Sequence, residues 1–114
     1  MPAWADRFKA KTNTRPSFAH AGNYSAAFQY LEAVQRAGTD NADAVVKELE
    51  GKKLNDVFLR NGTVRAADHR VLHDAYLAKV KTKDQVIEDW DYEKILTTIP
   101  AEKAFGPVSA DCKM

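Results

Sequence analysis

Two histidines and an aspartate lie close together in the middle of the chain and are the first candidates for chemistry. His69 and His73 are four residues apart, and Asp68 precedes the first of them. On a helix this spacing would place both imidazoles on one face, as in zinc-binding helices. The glutamate that such a motif carries between its histidines is absent, and the only other histidine is His20. The pattern therefore predicts that these histidines are structural or lie on the surface and bind no metal. An enzyme that uses Asp68 with His69 or His73 is a third functional hypothesis, behind the two non-catalytic ones given below.

A second group of ionisable residues lies near the C-terminal end. Asp89, Asp91 and Glu93 alternate with Trp90 and Tyr92. Paired carboxylates can act as a general acid and base, but alternation at the start of a strand is typical of a solvated face opposite an aromatic one. The sequence has neither a nucleophile motif nor a glycine-rich phosphate loop. It predicts a protein that is not an enzyme and uses no cofactor.

Composition limits the class of protein and its partners. The chain has 114 residues, of which 45% are hydrophobic and 29% charged, as in a single globular domain. Its 17 basic and 16 acidic residues give a net charge of +1, which predicts no nucleic-acid partner. The locally basic middle lacks the interleaved aromatics of base stacking and is expected to be solvated. No apolar run reaches the roughly 18 residues of a membrane span, so no membrane insertion is expected.

Localisation and redox state follow from the two ends. The N-terminal segment lacks the apolar core of a signal peptide. The chain as written is therefore expected in the cytoplasm, or in the periplasm if a leader was removed. The segment 101–114 contains Gly106 and Pro107 and is predicted as a flexible tail. Cys112, the only cysteine, is expected to be a free thiol, with pairing between chains in an oxidising compartment as the alternative.

The first helix and a linker are predicted in the N-terminal part. The helix runs from about Ala3 to Lys11, because Trp4 and Phe8 are four residues apart and share a face. Pro16 follows and disfavours helical geometry at the residue before it. The segment Ser17–Gly22 is predicted as an extended linker.

The next two helices are predicted as an αα-hairpin. The second helix runs from about Tyr24 to Ala37, with Asn23 as N-cap and Gly38 as its end. The third runs from about Asn41 to Glu50, with Asp40 as its cap. The short connection between them places the two helices side by side.

Strands are predicted in the second half of the chain. Asn61-Gly62 is a two-residue hairpin signal, because both residue types tolerate positive φ. The apolar run Val57–Leu59 before it and Thr63–Arg65 after it would be the paired strands. Two further strands are predicted over Val71–Lys81, where a helical start near Ala67 is the alternative, and over Tyr92–Ile99.

These motifs in this order resemble the C-terminal third of type I periplasmic solute-binding proteins, the receptors of ABC transporters for branched-chain amino acids and related small carboxylates. The resemblance rests on four stretches: W-x3-F at Trp4 and Phe8 followed by Pro16; A-G-N-Y-S-A-A at Ala21–Ala27; A-G-T-D with A-D-A-V-V-K-E-L-E at Ala37–Glu50; and N-G-T-V-R-A-A-D-H-R-V-L-H-D-A-Y-L at Asn61–Leu77 with the later W-D-Y and T-I-P.

The resemblance implies an α/β (or α+β) fold that is a part of the type I receptor fold, with the αα-hairpin packed on a small sheet. The family has two α/β lobes with the ligand in the cleft between them, so the chain is expected to be truncated. Strands without neighbours expose unpaired N–H and C=O groups, and we expect dimerisation or domain swapping to complete the sheet. One domain, 1–114, is predicted, with segments 1–16, 17–51, 52–100 and 101–114.

The resemblance also implies a ligand-binding segment at Tyr24 with its neighbours Asn23 and Ser25, where the family has an aromatic residue at the mouth of the cleft. The alternative is that Tyr24 packs on Phe28. The predicted function is non-catalytic binding of an amino acid or a small aromatic carboxylate by a receptor-like module, and the resemblance implies an ABC permease as partner. The competing hypothesis is an orphan structural or protein-interaction domain that forms a homodimer without ligand.

Overall fold

The computed structural model describes residues 2–113 and combines helices with two small antiparallel sheets. The helices are α1 (Pro2–Thr12), α2 (Phe18–Ala37), α3 (Ala42–Leu49) and the one-turn α4 (Ala101–Ala104), and Lys83–Gln85 forms a 3-10 turn. The strands are β1 (Lys53–Leu54), β2 (Gly62–Val64), β3 (Val71–Leu72), β4 (Ala75–Val80) and β5 (Glu93–Ile99). The order in one sheet is β1-β2-β3, and the other consists of β4 and β5. This mixture confirms the predicted fold class.

The predicted first helix is confirmed to within a residue at each end, but the predicted linker Ser17–Gly22 is wrong. Helix α2 already begins at Phe18, with Ser17 in extended geometry as its N-cap. The His20 ring explains the early start, because its Nδ1 accepts a hydrogen bond from the Ser17 N–H at 3.0 Å and lies 2.9 Å from Ser17 Oγ. Asn23, predicted as the N-cap, therefore lies inside the helix, and its side-chain amide donates to the Ala19 carbonyl at 3.0 Å.

The αα-hairpin of α2 and α3 is confirmed. Gly38 ends α2 with a φ of 68°, and its N–H donates to the Val34 carbonyl at 2.9 Å, as in a helix that ends in the left-handed region. The cap of α3 is Asn41 rather than the predicted Asp40, because Asn41 Oδ1 accepts from the Ala44 N–H at 3.2 Å.

The predicted two-residue hairpin at Asn61-Gly62 is wrong. Leu54 of β1 pairs with Gly62, so the connection is the whole loop from Asn55 to Asn61 and the apolar run Val57–Leu59 lies within it. Only Asn61 of the pair has a positive φ, of 49°. Gly62 is needed for close approach instead, since a Cβ there would lie 2.9 Å from Leu54 Cβ.

The loop owes its shape to Asp56, and its apolar residues complete a small core. Asp56 Oδ1 accepts from the N–H groups of Phe58 and Leu59, both at 2.9 Å. This turns Leu59 inward, where it is buried with Leu54 and Val64. The core of the three-stranded sheet therefore draws one of its three buried residues from a loop.

The predicted strand Val71–Lys81 is interrupted at His73 and Asp74. Strand β3 pairs with β2, whereas β4 pairs with β5 in the other sheet. Asp74 fixes the break, because its carboxylate accepts from the Asn61 side chain at 2.7 Å and from the Ala101 N–H at 3.2 Å. The helical start near Ala67 is not adopted, since the segment before β3 is a turn.

The strand predicted over Tyr92–Ile99 is confirmed as β5. It forms with β4 a two-stranded ribbon whose register shifts between Leu77 and Ala78. The segment 101–114, predicted as a flexible tail, begins with α4, and the Arg65 guanidinium donates to the Gly106 carbonyl at 2.9 Å. Among residues 2–113, no helix is both long and apolar enough to cross a membrane.

Candidate functional site

A groove of about 500 Å³ lies between α1 and α2 and contains two of the three predicted ligand-binding residues, Tyr24 and Asn23. We call it the α1–α2 groove. Its lining consists of aromatic and basic side chains, namely Trp4, Arg7, Phe8, Lys11 and His20, together with Asn23 and Tyr24.

Aromatic contacts hold α1 against α2 and form the wall of the groove. The rings of Trp4 and Tyr24 are 5.4 Å apart and tilted by 54°, and the Phe8 ring meets the edge of His20 at 5.0 Å. Tyr24 also stacks on Phe28 at 6.2 Å, as the alternative interpretation of this residue expects. Tyr24 nevertheless remains 43% exposed. It therefore contributes to packing and presents part of its surface to the groove.

The charge of the groove is positive. Arg7 and Lys11 lie one turn apart on α1 and are both exposed, and within residues 2–113 neither forms an ion pair. Neither residue was predicted as a site candidate. Their four-residue spacing on the predicted helix, next to Trp4 and Phe8, was the available signal.

The third predicted residue, Ser25, is turned away from the groove. One residue along a helix corresponds to about 100°, so Ser25 faces the loop after β1 while Tyr24 faces α1. Ser25 is buried, and its hydroxyl donates to Asp56 Oδ2 at 2.6 Å. The structure thus brings Tyr24 and Asn23 together in one groove and places Ser25 in a different environment.

The side chain that Ser25 contacts, Asp56, is the centre of a hydrogen-bond cluster and was not predicted as a site residue from the sequence. Its Oδ2 also accepts from Gln29 Nε2 at 3.1 Å, in addition to the Ser25 hydroxyl and the two loop N–H groups. Burial opposes ionisation of Asp56, but the hydrogen bonds from Ser25, Leu59, Phe58 and Gln29 together lower its pKa. An ionised carboxylate that accepts four hydrogen bonds ties α2 to the loop.

Asp68, His69 and His73 each contact a neighbouring residue of the chain, as residues that stabilise a fold do. Asp68 accepts from Arg65 at 2.8 and 2.6 Å, and this hydrogen bonding lowers the Asp68 pKa to about 2. His69 Nε2 lies 2.8 Å from the Glu50 carboxylate, and His73 Nδ1 donates to the Asp74 carbonyl at 2.8 Å. Within residues 2–113, no group of three His, Cys, Asp or Glu side chains is arranged to hold a metal ion.

Of the three alternating carboxylates near the C-terminus, Asp91 has a basic partner. Asp91 binds Lys81 Nζ at 2.5 and 2.6 Å, and the hydrogen bond from Lys81 is the main reason that the Asp91 pKa is lowered. Asp91 therefore anchors the end of the ribbon, next to Trp90 in its positive-φ conformation (76°).

The sequence and the fold of the chain are similar to those of known periplasmic binding proteins. The family model described as periplasmic binding protein matches residues 2–85. A branched chain amino acid ABC transporter periplasmic ligand-binding protein from Burkholderia xenovorans LB400 is 40% identical, with a TM-score of 0.87 over 93% of this chain and 28% of that one. A periplasmic binding protein from Burkholderia mallei is also 40% identical, with a TM-score of 0.86 over 92% of this chain and 28% of that one.

A third solved structure extends the similarity in fold alone. It is an amino acid ABC transporter substrate-binding protein from Pseudomonas fluorescens Pf-5, 23% identical, with a TM-score of 0.83 over 96% of this chain and 29% of that one. A comparison with curated protein sequences gives no match. The chain thus spans about 28% of the length of the two more similar structures and corresponds to a part of such a receptor. The predicted resemblance is confirmed, and the chain belongs to the periplasmic binding protein family.

Proposed function

We propose that the chain is a solute-binding module that holds a small carboxylate, either an amino acid or an aromatic acid, in the α1–α2 groove without catalysing a reaction. The observation that carries this proposal is the combination of aromatic rings with Arg7 and Lys11 in one groove, two cations that form no ion pair within residues 2–113. The 40%-identical protein from Burkholderia xenovorans LB400, described as a branched chain amino acid ABC transporter periplasmic ligand-binding protein, supports the ligand class. It also supports an ABC permease as partner and the periplasm as compartment.

The groove chemistry suits a carboxylate attached to an apolar body. A guanidinium such as that of Arg7 can donate two parallel hydrogen bonds to a carboxylate, and Lys11 one turn away adds a second positive charge. The faces of Trp4 and Tyr24 offer an apolar surface to a ring or a branched side chain. Exposed ion pairs contribute at most about 1 kcal/mol each, so we expect the groove by itself to bind weakly.

Calorimetric titration with benzoate, leucine and the neutral analogue benzyl alcohol tests the proposal. We expect benzoate or leucine to bind and benzyl alcohol to bind at least about fivefold more weakly, which corresponds to roughly 1 kcal/mol for the lost ion pair. The variant Lys11→Gln should weaken carboxylate binding by a similar factor. Lys9→Gln is the matched control, because Lys9 is exposed on the same helix and does not line the groove. Equal effects of the two substitutions, or equal binding of benzyl alcohol, would contradict the proposal.

A second candidate function, a homodimeric interaction module without ligand, is supported by the β4–β5 ribbon. A two-stranded ribbon is marginal in isolation, and its outer edges carry unpaired backbone groups. Large apolar side chains are exposed on it, including Leu77 (53%), Val80 (71%), Ile95 (59%) and Leu96 (54%). Pairing of this ribbon with that of a second copy would cover the apolar side chains and complete the edges.

Sedimentation equilibrium at micromolar concentration tests the dimer. We expect a dimer in the native chain and a monomer in the double variant Leu77→Lys with Leu96→Lys, because charged residues on an exposed ribbon oppose strand pairing between chains. A native chain that stays monomeric to about 100 µM would exclude this second function without bearing on the groove. A dissociation constant of that size corresponds to a dimerisation free energy of only about 5.5 kcal/mol.

A further inference from the structure

Helix α2 carries an apolar stripe on a side that faces solvent. The members of the stripe recur at the spacing of three and four residues that is typical of a buried helix face, and they are Tyr24, Ala27, Phe28 and Leu31. We call them the α2 stripe. The buried residues of α2 lie on a different side of the helix, and they are Ala21, Ser25, Gln29 and Ala33. The pattern that predicts a covered face therefore lies on an exposed one.

The α2 stripe has the composition of an interface core. Leu31 is 63% exposed and Phe28 is 42% exposed, whereas Tyr24 is covered in part by Trp4 of α1, whose ring is 5.4 Å away. The segment from Phe18 to Leu31 contains no Asp, Glu, Lys or Arg. A surface helix normally carries charged residues on its solvent side, whereas the core of a protein interface is depleted of charges and enriched in aromatic residues.

The exposed area of the whole chain is larger than that of a compact protein of the same mass. The chain of 12.7 kDa exposes 8482 Å², whereas a folded monomer of this mass exposes about 6,200 Å². The radius of gyration is 17.0 Å, against about 13 Å for a compact domain of 100 residues. The excess of about 2,200 Å² is more than twice the roughly 800 Å² that each partner buries in an interface of standard size. The area that a stable dimer needs is therefore available.

A second copy of the chain fits the free part of the stripe. Because the stripe is uncharged, two copies can meet there without repulsion between like charges. A two-fold axis near Leu31 makes the two α2 helices antiparallel and brings Leu31 against the partner's Leu31. Phe28 then packs beside the partner's Val34, which is half-buried within its own chain. Helix α1 covers the other end of the stripe, at Tyr24, and so lies away from this contact.

We propose that the α2 stripe is an interface at which two copies of the chain pair through antiparallel α2 helices around Leu31. This surface differs from the β4–β5 ribbon, and the pairing does not depend on whether the α1–α2 groove binds a carboxylate. It is an alternative to the ribbon pairing of the second candidate function. That function predicts that charges on the ribbon separate the copies, whereas pairing through α2 predicts that the same variant stays dimeric.

Sedimentation equilibrium of the whole chain at micromolar concentration compares charges on the two surfaces. Leu31→Lys is expected to raise the dissociation constant of the dimer at least about tenfold, because pairing would bury an unpaired ammonium group from each copy. Leu31 is exposed in a single copy, so each copy should still fold. The double variant Leu77→Lys with Leu96→Lys is the matched control and should keep the native dissociation constant. A native chain that is monomeric to about 100 µM, or loss of the dimer in the ribbon variant alone, would overturn the proposal.

Disulfide formation tests the position of the contact. With Cys112→Ser as background, Leu31→Cys is expected to form a covalent dimer when oxidised glutathione is added, because a disulfide needs two Cα atoms within about 7 Å. Ala26→Cys in the same background is the matched control. Ala26 is exposed on the same helix but lies about 140° from Leu31 around the helix axis, so this variant should stay monomeric on a non-reducing gel. Equal cross-linking of the two variants, or none at Leu31→Cys, would overturn the pairing around Leu31.

Discussion

The three-stranded sheet with its helix pair and the two-stranded β4–β5 ribbon are both antiparallel, yet they differ in what covers them. Leu54, Leu59 and Val64 of the first region are buried, with exposed fractions of 3%, 6% and 7%. The ribbon has longer strands, but its residues are almost all exposed. Strand length therefore does not decide which region is packed. The difference is the presence of a layer, because α2, α3 and the loop at Asp56 cover the shorter strands.

The largest difference between the two regions is expected for truncation of an apolar residue. Leu54→Ala should lower the free energy of unfolding by about 2–5 kcal/mol, because it removes a buried side chain and leaves a cavity. Leu77→Ala in the ribbon should cost less than about 1 kcal/mol, since Leu77 is 53% exposed. Urea unfolding followed by circular dichroism measures both. Equal losses would show that the ribbon is covered in solution, as in the proposed dimer.

A smaller difference is expected for added methyl groups at glycines. Gly62→Ala should destabilise the sheet by about 1–3 kcal/mol, because the new Cβ would lie 2.9 Å from Leu54 Cβ and 3.0 Å from the Leu54 carbonyl oxygen. Gly106→Ala is the control, since a Cβ there meets nothing within 4 Å. The melting temperatures of the two variants provide the measurement. A Gly62→Ala variant as stable as the native chain would mean that β1 and β2 separate easily, as an uncovered ribbon would.

The smallest difference is expected for the carboxylates, and it depends on pH. Asp56→Asn should cost about 1–2 kcal/mol at neutral pH, because one of the two accepting carboxylate oxygens becomes an NH2 group that can only donate. Asp91→Asn, the ribbon counterpart, should cost less because it loses an exposed ion pair. Urea unfolding at pH 7 measures the free energy of unfolding of both variants. A larger decrease for Asp91→Asn than for Asp56→Asn would contradict the expectation that the covered region depends more on its carboxylate than the ribbon does.

The decrease in the free energy of unfolding as the pH falls provides a second measurement on the carboxylates. The pKa of Asp68 is depressed from 3.8 to about 2, so the unfolded chain binds this proton first as pH falls. The stabilisation is therefore present above pH 3.8 and is lost as pH falls toward about 2. Asp56 and Asp91, whose pKa values are also lowered, act in the same direction. The variant Asp68→Asn should show a flatter decline over this window, and an unchanged slope would contradict the ion pair with Arg65.

Much of the helical part was predictable from sequence because its signals are local. Trp4 and Phe8 mark the buried face of α1, and Gly38 ends α2 through a backbone conformation that glycine adopts without strain. The start of α2 was not predictable in the same way. It depends on the contact of the His20 ring with Ser17, and histidine is not the usual residue at that position of a capping box.

The strands were harder to predict because their pairing is not local. Asn61-Gly62 is a strong hairpin signal, but the side chain of Asp56 organises a longer loop and moves the first strand back to Lys53–Leu54. The mixed pattern of apolar and polar residues over Val71–Lys81 likewise does not show that Asp74 binds Asn61 and Ala101. Those two contacts divide the pattern between two sheets.

The sequence by itself determined the family, the αα-hairpin and the segment that contains Tyr24, because these follow from residue order and helical spacing. The tertiary structure alone decided which side chains share a site. It placed Arg7 and Lys11 beside Tyr24, turned Ser25 toward Asp56 and left Gln29 Oε1 buried without a hydrogen bond to any of residues 2–113. The physical reason is that adjacent residues on a helix point about 100° apart. Whether neighbours in sequence share an environment therefore depends on what packs against each face.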